Sequence, residues 1–346
     1  MSSNPGASHD LTPEAGLSPG MSASLMTADE PAARLSAAGQ AVAADGQPGP
    51  APARPARLAV ALATIGRPDV VVRTVGEIKA QTRRPDEILV CAPTERDVGN
   101  IADLHPDVRL LIGRLGLTTQ RNYLMENLEA ADIVVFLDDD FIPDAHYLEF
   151  VETLFARYPD VVMTTGRVLA DGILGPGLDF ASARTAIDAA AGDPHDIEDV
   201  RDVYNGYGCN MAIRLDPVRR HNIRFDEKLP LYGWLEDVDF SRQLARYGRI
   251  IKAAATRGVH LGVKGGRQTG TRLGYSQIAN PFYLMRKGTC SPAKALTIAA
   301  RNVLANLVRS IRPEPHVDRR GRISGNSRAL LDLLTGRLSP GRVLSL

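Results

Sequence analysis

Three consecutive carboxylates, Asp138-Asp139-Asp140, follow the apolar run Ile133-Val134-Val135-Phe136-Leu137. Such a run reads as a buried strand, so the acids emerge where that strand meets the edge of its sheet. Side chains two apart share a face of extended backbone, which puts Asp138 and Asp140 on one side and Asp139 on the other. Two carboxylates on one side repel unless a cation or donor groups neutralise them. A hard divalent ion, Mg2+ or Mn2+, takes oxygen ligands and keeps positions open for phosphate oxygens. The plain alternative is a solvated acidic turn that caps the next helix. A second acidic group, Glu236-Asp237-Val238-Asp239, opens a predicted helix after Gly233-Trp234-Leu235. Acids in a first turn stabilise a helix by about 0.3–1 kcal/mol without any catalysis. The chemical alternative is a carboxylate base that takes a proton from an attacking hydroxyl. His260 follows a short strand and precedes a flexible cationic loop with Lys264, Arg267 and Arg272. It is either a structural histidine or a ligand, and the neighbouring cations suit a diphosphate.

The elements that would position these groups alternate. Leu58–Ala63, Glu87–Cys91, Val108–Leu111 and Asp132–Leu137 read as strands, with helices over Val70–Ala80 and Thr118–Leu128 between them. Proline and an acid at Pro143-Asp144 open a helix to about Tyr158. Strands follow at Val161–Val168, Asn210–Arg214 and Ile250–Ala253, and a helix at Trp234–Tyr247. The stretches Asp171–Phe180 and Asp193–Asp202 read as loops. This alternation predicts an α/β fold with a Rossmann-like, mostly parallel sheet flanked by helices. Ligands then sit beyond the carboxyl ends of the strands, after Ala63, Cys91 and Leu137.

Composition narrows the class. The chain has 346 residues, 41 Lys and Arg against 40 Asp and Glu, and a formal net charge of +1, so no charge excess marks a nucleic-acid binder. Residues 1–57 are rich in Ala, Pro, Ser and Gly and lack aromatic residues, which predicts a disordered leader. Cys91, Cys209 and Cys290 have no metal-binding spacing and read as reduced thiols. No secretory signal opens the chain, and its apolar runs fall short of the about 20 residues that span a bilayer. A cytoplasmic location is expected. An apolar strand ending in Asp also fits a P-loop nucleotidase, but no GxxxxGK[ST] run precedes it.

In chain order, Thr64-Ile65-Gly66-Arg67-Pro68, Gly116-Leu117-Thr118-Thr119-Gln120-Arg121-Asn122, Phe136-Leu137-Asp138-Asp139-Asp140, Gly208-Cys209-Asn210-Met211-Ala212-Ile213-Arg214 and Gly233-Trp234-Leu235-Glu236-Asp237-Val238-Asp239 resemble the serial motifs of family 2 glycosyltransferases. The resemblance covers roughly Leu58 to His260, and the late segment Gly325–Leu346 is also similar to bacterial members. It implies a GT-A fold and an inverting sugar transfer from a nucleotide-diphospho sugar to an acceptor hydroxyl. It implies that Thr64, Arg67, Arg121, Asp138, Asp139 and Lys264 bind the nucleotide sugar. Asp140 would be the direct metal ligand, with Asp138 and His260 beside it. Asp237 would be the base, with Glu236 the neighbour able to take its place, and Asn210 and Trp234 would face the acceptor. Many relatives carry an aspartate after the second strand where this chain has Val90-Cys91-Ala92-Pro93-Thr94, so UDP-sugar is a default and dTDP- or GDP-sugar stay open.

The implied organisation is a leader at 1–57, a catalytic domain at 58–275 and a helical C-terminal extension at 276–346. In that extension, Leu296, Ala300, Val303, Leu304, Leu307 and Ile311 share one helical face, with Lys294, Arg301 and Arg312 opposite. Such a helix either packs on the catalytic domain or touches a membrane surface, which would suit a polyprenyl-linked saccharide acceptor in exopolysaccharide or cell-envelope polysaccharide assembly. Two rivals are a catalytically inactive, glycosyltransferase-like scaffold and a sugar-phosphate nucleotidyltransferase.

Overall fold

The structure, a computed structural model, describes residues 54–265 and 268–346. The expected leader up to residue 53, and Gly266 and Arg267 of the cationic loop, lie outside the described residues. The last leader positions are tied to the sheet: Arg54 Nη2 donates to Asp132 Oδ1 at 2.9 Å and the Arg57 amide to Asp132 Oδ2 at 2.8 Å. Described order therefore begins before Leu58.

The strands are β1 (Leu58–Ala63), β2 (Glu87–Ala92), β3 (Arg109–Ile112), β4 (Ile133–Asp138), β5 (Phe141–Pro143), β6 (Val161–Asp171), β7 (Val200–Asp202), β8 (Asn210–Arg214) and β9 (Arg249–His260). The helices are α1 (Pro68–Lys79), α2 (Ile101–Leu104), α3 (Leu117–Glu126), α4 (Tyr147–Arg157), α5 (Phe180–Ala189), α6 (Leu215–Arg220), α7 (Glu236–Leu244), α8 (Gly270–Lys287), α9 (Pro292–Arg309) and α10 (Arg319–Leu334). All the strands join one sheet in the order β3-β2-β1-β4-β8-β6-β9-β5, with β7 paired to β9. The β3-β2-β1-β4 half is parallel, as is β6 on β9; β8 runs antiparallel to both β4 and β6.

Both faces of the sheet are covered, which explains why β1 reads as an unbroken apolar run rather than an alternating one. Leu58, Val60 and Leu62 pack with Val71, Val75 and Ile78 of α1 and with α4 on one face. Ala59 and Ala61 pack on the other face with Leu124 of α3 and with Phe240 and Leu244 of α7. All three cysteines are buried free thiols, as expected.

Several elements differ from their sequence-based bounds. Pro143 ends the short strand β5, because Phe141–Pro143 pairs with the far end of β9; the helix starts at Tyr147. Val200–Asp202 of the expected acidic loop is an edge strand on β9. The strand expected at Val161–Val168 continues to Asp171, and the one expected at Ile250–Ala253 runs from Arg249 to His260. Irregular register hid both. Their parallel pairing breaks step between Gly166 and Arg167 and between Val168 and Ala170. A Cβ on Gly166 would lie 2.2 Å from the Thr256 carbonyl oxygen, so only glycine lets these strands approach. The boundary expected after residue 275 falls inside α8. No helix among the described residues is long and apolar enough to cross a membrane.

Candidate active site

Strand register brings the first acidic group together with His260. β4 ends at Asp138, and the chain turns through Asp139 and Asp140 into β5, whose Phe141 stands opposite His260. On the other side of β9, Asp171 stands opposite the same His260. His260 Nε2 lies 3.4 Å from Asp140 Oδ1 and 3.9 Å from Asp138 Oδ2, while Nδ1 is 2.9 Å from Asp171 Oδ1. Tyr207 Oη donates to the other Asp171 oxygen at 2.9 Å. One donor atom from each of Asp138, Asp140 and His260 lies within 4.8 Å of the others.

This donor set fits a divalent cation. Two carboxylates and an imidazole converge, and Asp171 occupies the far ring nitrogen, which leaves Nε2 to face the acids; metal-ligating histidines are held this way. Burial alone would lower the His260 pKa, but its bonds to Asp140 and Asp171 more than reverse that and raise it to about 10. Burial likewise favours the neutral Asp140 carboxyl, and the His260 and Arg67 charges override it and hold Asp140 below the usual carboxylate range. The carboxylates around the ring thus favour its imidazolium form.

The remaining sheet-edge groups anchor the turn. Arg67 spans two acids, with Nη2 at 2.8 Å from Asp139 Oδ1 and Nη1 at 3.1 Å from Asp140 Oδ2. Thr64 Oγ1 donates to Asp139 Oδ2 at 2.5 Å. Asp139 is fully enclosed, and burial pushes its carboxyl up. Beyond β9, Gly262 takes a left-handed φ of 66°, packed so closely on Gly172 that a Cβ there would clash. That turn aims the Val263 amide at Asp140 Oδ2, 2.8 Å away, and lets Lys264 Nζ donate to the Gly172 and Ile173 carbonyls at 3.0 Å each.

The second acidic group meets the first through Arg121. This side chain is only 2% exposed and lies beside the edge-to-face pair of Phe136 and Phe225, 5.5 and 5.4 Å from their ring centres. Its Nη1 donates to Glu236 Oε1 at 2.5 Å, and its Nη2 reaches the Gly208 carbonyl at 2.7 Å and Asp138 Oδ1 at 3.3 Å. Asp237 accepts the Gly208 amide at 3.2 Å and the Val238 amide at 2.8 Å. One guanidinium thus faces Asp138, Glu236 and Asp237. Burial, and then the Asp237 charge, push Glu236 up to about 8; burial raises Asp237 as well. Leu235, which caps α7, sits at a left-handed φ of 72°, a conformation that costs a non-glycine residue about 1–3 kcal/mol. That turn starts α7 with both acids directed at the site.

A cavity of about 540 Å³ joins these groups. Asp138, His260, Lys264, Arg121, Glu236 and Asp237 line one end, with Tyr232 and Trp234 beside them. Residues of α8, α9 and the start of α10 line the other end, including Gln277, Lys294, Asn302 and Arg322. The C-terminal helices are therefore a wall of the site.

Most of the expected residues divide into two sets, and Arg67 stands outside the cavity lining, on Asp139 and Asp140. Asp138, Arg121, Lys264, His260, Trp234, Glu236 and Asp237 line the cavity. Thr64, Asp139 and Asn210 are enclosed behind it: Asn210 is fully buried and accepts from Thr165 Oγ1 at 2.6 Å. Asp140 is 1% exposed and presents one oxygen to His260. Sequence reading missed Asp171, which only the β6–β9 register places, and Tyr207, whose segment before β8 brings its hydroxyl to Asp171. It also missed the clamps made by α3: Gln120 Nε2 donates to the Thr64 and Cys91 carbonyls, and Asn122 holds the backbone of Phe225 in both directions. Their signal was a polar helix with Thr118, Gln120, Arg121 and Asn122 all buried.

Comparison with solved structures finds partial likenesses. One is the mannosyltransferase PcManGT from Pyrobaculum calidifontis, in complex with GDP-Man and Mn2+, at 16% identity and a TM-score of 0.47 over 84% of this chain and 85% of that one. Another is S. aureus TarS 1–349, at 13% identity and a TM-score of 0.48 over 83% of this chain and 82% of that one. No family model and no curated protein matches the chain.

Proposed function

We propose that the chain is a metal-dependent glycosyltransferase of GT-A type that moves a sugar from a nucleotide-diphospho donor to an acceptor hydroxyl with inversion. The observation that carries this reading is the convergence of Asp138, Asp140 and His260 with Glu236 and Asp237 on one cavity, through Arg121. The motif resemblance supports it independently. Asp138, Asp140 and His260 would hold Mg2+ or Mn2+. That ion would offset charge on the departing diphosphate. The imidazole in the donor set favours Mn2+ over Mg2+.

The chain's own residues supply the rest. Lys264, fixed over the Gly172 turn, stands at the donor end as a cation for phosphate oxygens. Asp237 accepts the proton of the acceptor hydroxyl as that oxygen forms its bond to C1. The C1–oxygen bond to the diphosphate breaks, and its electron pair leaves with the nucleoside diphosphate. A single displacement inverts the anomeric centre. Glu236 holds Arg121, which holds Asp138 and the Gly208 carbonyl, so it positions the base relative to the acids of the donor end. Tyr232 and Trp234 give an aromatic flank suited to a saccharide acceptor. The nucleobase is read as uridine by default, with dTDP- and GDP-sugars as alternatives. The acceptor is read as a polyprenyl-linked saccharide at the inner face of the plasma membrane, in envelope or exopolysaccharide assembly.

A donor panel tests the reading. Wild-type protein with Mn2+ releases nucleoside diphosphate from at least one nucleotide sugar, and Asp140→Ala abolishes that release. Absence of metal-dependent release across the panel would favour a non-catalytic role, and pyrophosphate release from a nucleoside triphosphate would favour nucleotidyl transfer.

A further inference from the structure

Helix α9 carries three stripes that point in three directions. At about 100° per residue, Lys294, Ile298, Asn302, Ala305 and Arg309 fall on one side and line the cavity. Ala295, Ala299 and Asn306 fall roughly 80° away and are buried, with Asn306 bonded to Gln277 of α8 and Asn326 of α10. Leu296, Ala300, Leu304, Leu307 and Ile311 fall on the remaining side, roughly opposite the cavity, and face solvent. Leu304 is 61% exposed and Ile311 81%. Of the expected apolar face, Val303 packs against the cluster around Tyr275, and the rest of the face is covered by none of the described residues.

Charge surrounds the stripe with one sign. Residues 291–346 contain ten Lys and Arg against three Asp and Glu, a net of +7, whereas the whole chain sums to +1. Two of the three acids are engaged within the extension: Glu314 pairs with Arg309 and Arg319, and Asp332 with Arg342. Asp318 caps α10 through the Gly321 amide. Arg301 lies about 60° round the helix from Leu304, beside the exposed edge of the stripe and not opposite it as the sequence pattern suggested. Arg312, just past the end of α9, and Arg320 and Arg328 of α10 are exposed as well. Of the fourteen large hydrophobic side chains exposed among the described residues, nine lie between Leu296 and Leu344, so the exposure is concentrated here.

We infer that the outward face of α9 docks on an anionic lipid bilayer. The apolar stripe enters the headgroup boundary while the flanking arginines meet lipid phosphates, and two weak signals together give stable attachment. A second copy of the chain fits less well, because an isologous contact would set this arginine-rich surface against itself. The inference stands on the surface of the helix and not on sugar transfer. If the transfer reading holds too, the docked helix presents its other side to the cavity, so a lipid-borne acceptor enters from the membrane side.

The test is flotation of the full chain with vesicles, without donor or acceptor. Wild-type protein floats with mixed phosphatidylcholine–phosphatidylglycerol vesicles, stays behind with pure phosphatidylcholine, and is released by salt. Leu304→Glu with Leu307→Glu weakens binding by about tenfold or more. Arg301→Glu with Arg312→Glu also weakens it by about tenfold. Both pairs lie at the surface, so circular dichroism stays as in wild type. Wild type that ignores anionic vesicles, or a leucine variant that floats unchanged, overturns the inference. A concentration-dependent dimer that Leu307→Glu dissolves, with no vesicle binding, assigns the face to a second copy. None of these outcomes touches donor turnover, so the two readings fail separately.

Discussion

At the sheet edge the charged side chains are buried and paired, whereas on the C-terminal helices Arg301, Arg312, Arg320 and Arg328 stand at the surface together with exposed leucines. The sheet edge places Asp139, Asp140, Arg121, Asp237 and His260 out of water, and each is held by a named partner. Burying charge is costly, and such a cluster persists only where pairing offsets the cost. The extension instead leaves apolar surface uncovered, which a monomer tolerates only in small patches. One region is shaped to hold charge in a fixed geometry; the other is shaped to meet something outside the chain. They share one cavity, and α9 belongs to both.

The comparison can be broken first at Arg121. Arg121→Met removes the guanidinium that bonds both Asp138 and Glu236, and loss of one partner of a buried pair costs about 3–5 kcal/mol. Urea denaturation should read that loss most fully above about pH 8, where Glu236 is ionised, and progressively less of it as pH falls and the carboxylates are protonated. A variant as stable as wild type would show that the carboxylates are not paired as described.

A smaller effect is expected at Asp171. Asp171→Asn keeps the shape but weakens the hold on His260 Nδ1, and Mn2+ affinity should fall about 10–100-fold by calorimetry. Metal affinity should also follow pH. The His260 pKa is raised, to about 10, so the imidazolium adds stability that is complete below its unfolded value and is lost as pH rises through about 10. Metal needs the neutral ring, so Mn2+ binding should strengthen about tenfold per pH unit between neutrality and that value, with one proton released. A flat profile would remove His260 from the ligand set. The smallest effect belongs to the extension. Leu304→Glu should change the unfolding free energy by no more than about 0.5 kcal/mol, because the side chain is mostly exposed.

The two regions were not equally legible in the sequence. The run from Ile133 into Asp138-Asp139-Asp140 announced its own strand, and the two-residue period placed Asp138 and Asp140 on the side that faces His260. The α9 face was legible as a period, but a period says nothing about what covers a face. Asp171 was invisible, because its role depends on two long strands whose register shifts, between Gly166 and Arg167 and between Val168 and Ala170, decide which residue of β6 stands opposite His260. Arg121 was expected to bind the nucleotide sugar, and its partners in the structure are Glu236, Asp138 and Gly208, which lie 115, 17 and 87 residues away. Pairings of that length belong to the fold and not to any window of sequence. The left-handed turn at Leu235 had no signal, because leucine is not a residue that favours it.

The central claim is that Asp237 takes the acceptor proton at a site where donor binding is organised by other residues. The direct measurement pairs donor affinity by calorimetry with turnover for Asp237→Asn in the presence of Mn2+. The account predicts donor affinity close to wild type and a turnover reduced by about 10²–10⁴-fold, the usual worth of a general base. Wild-type turnover by Asp237→Asn would contradict it.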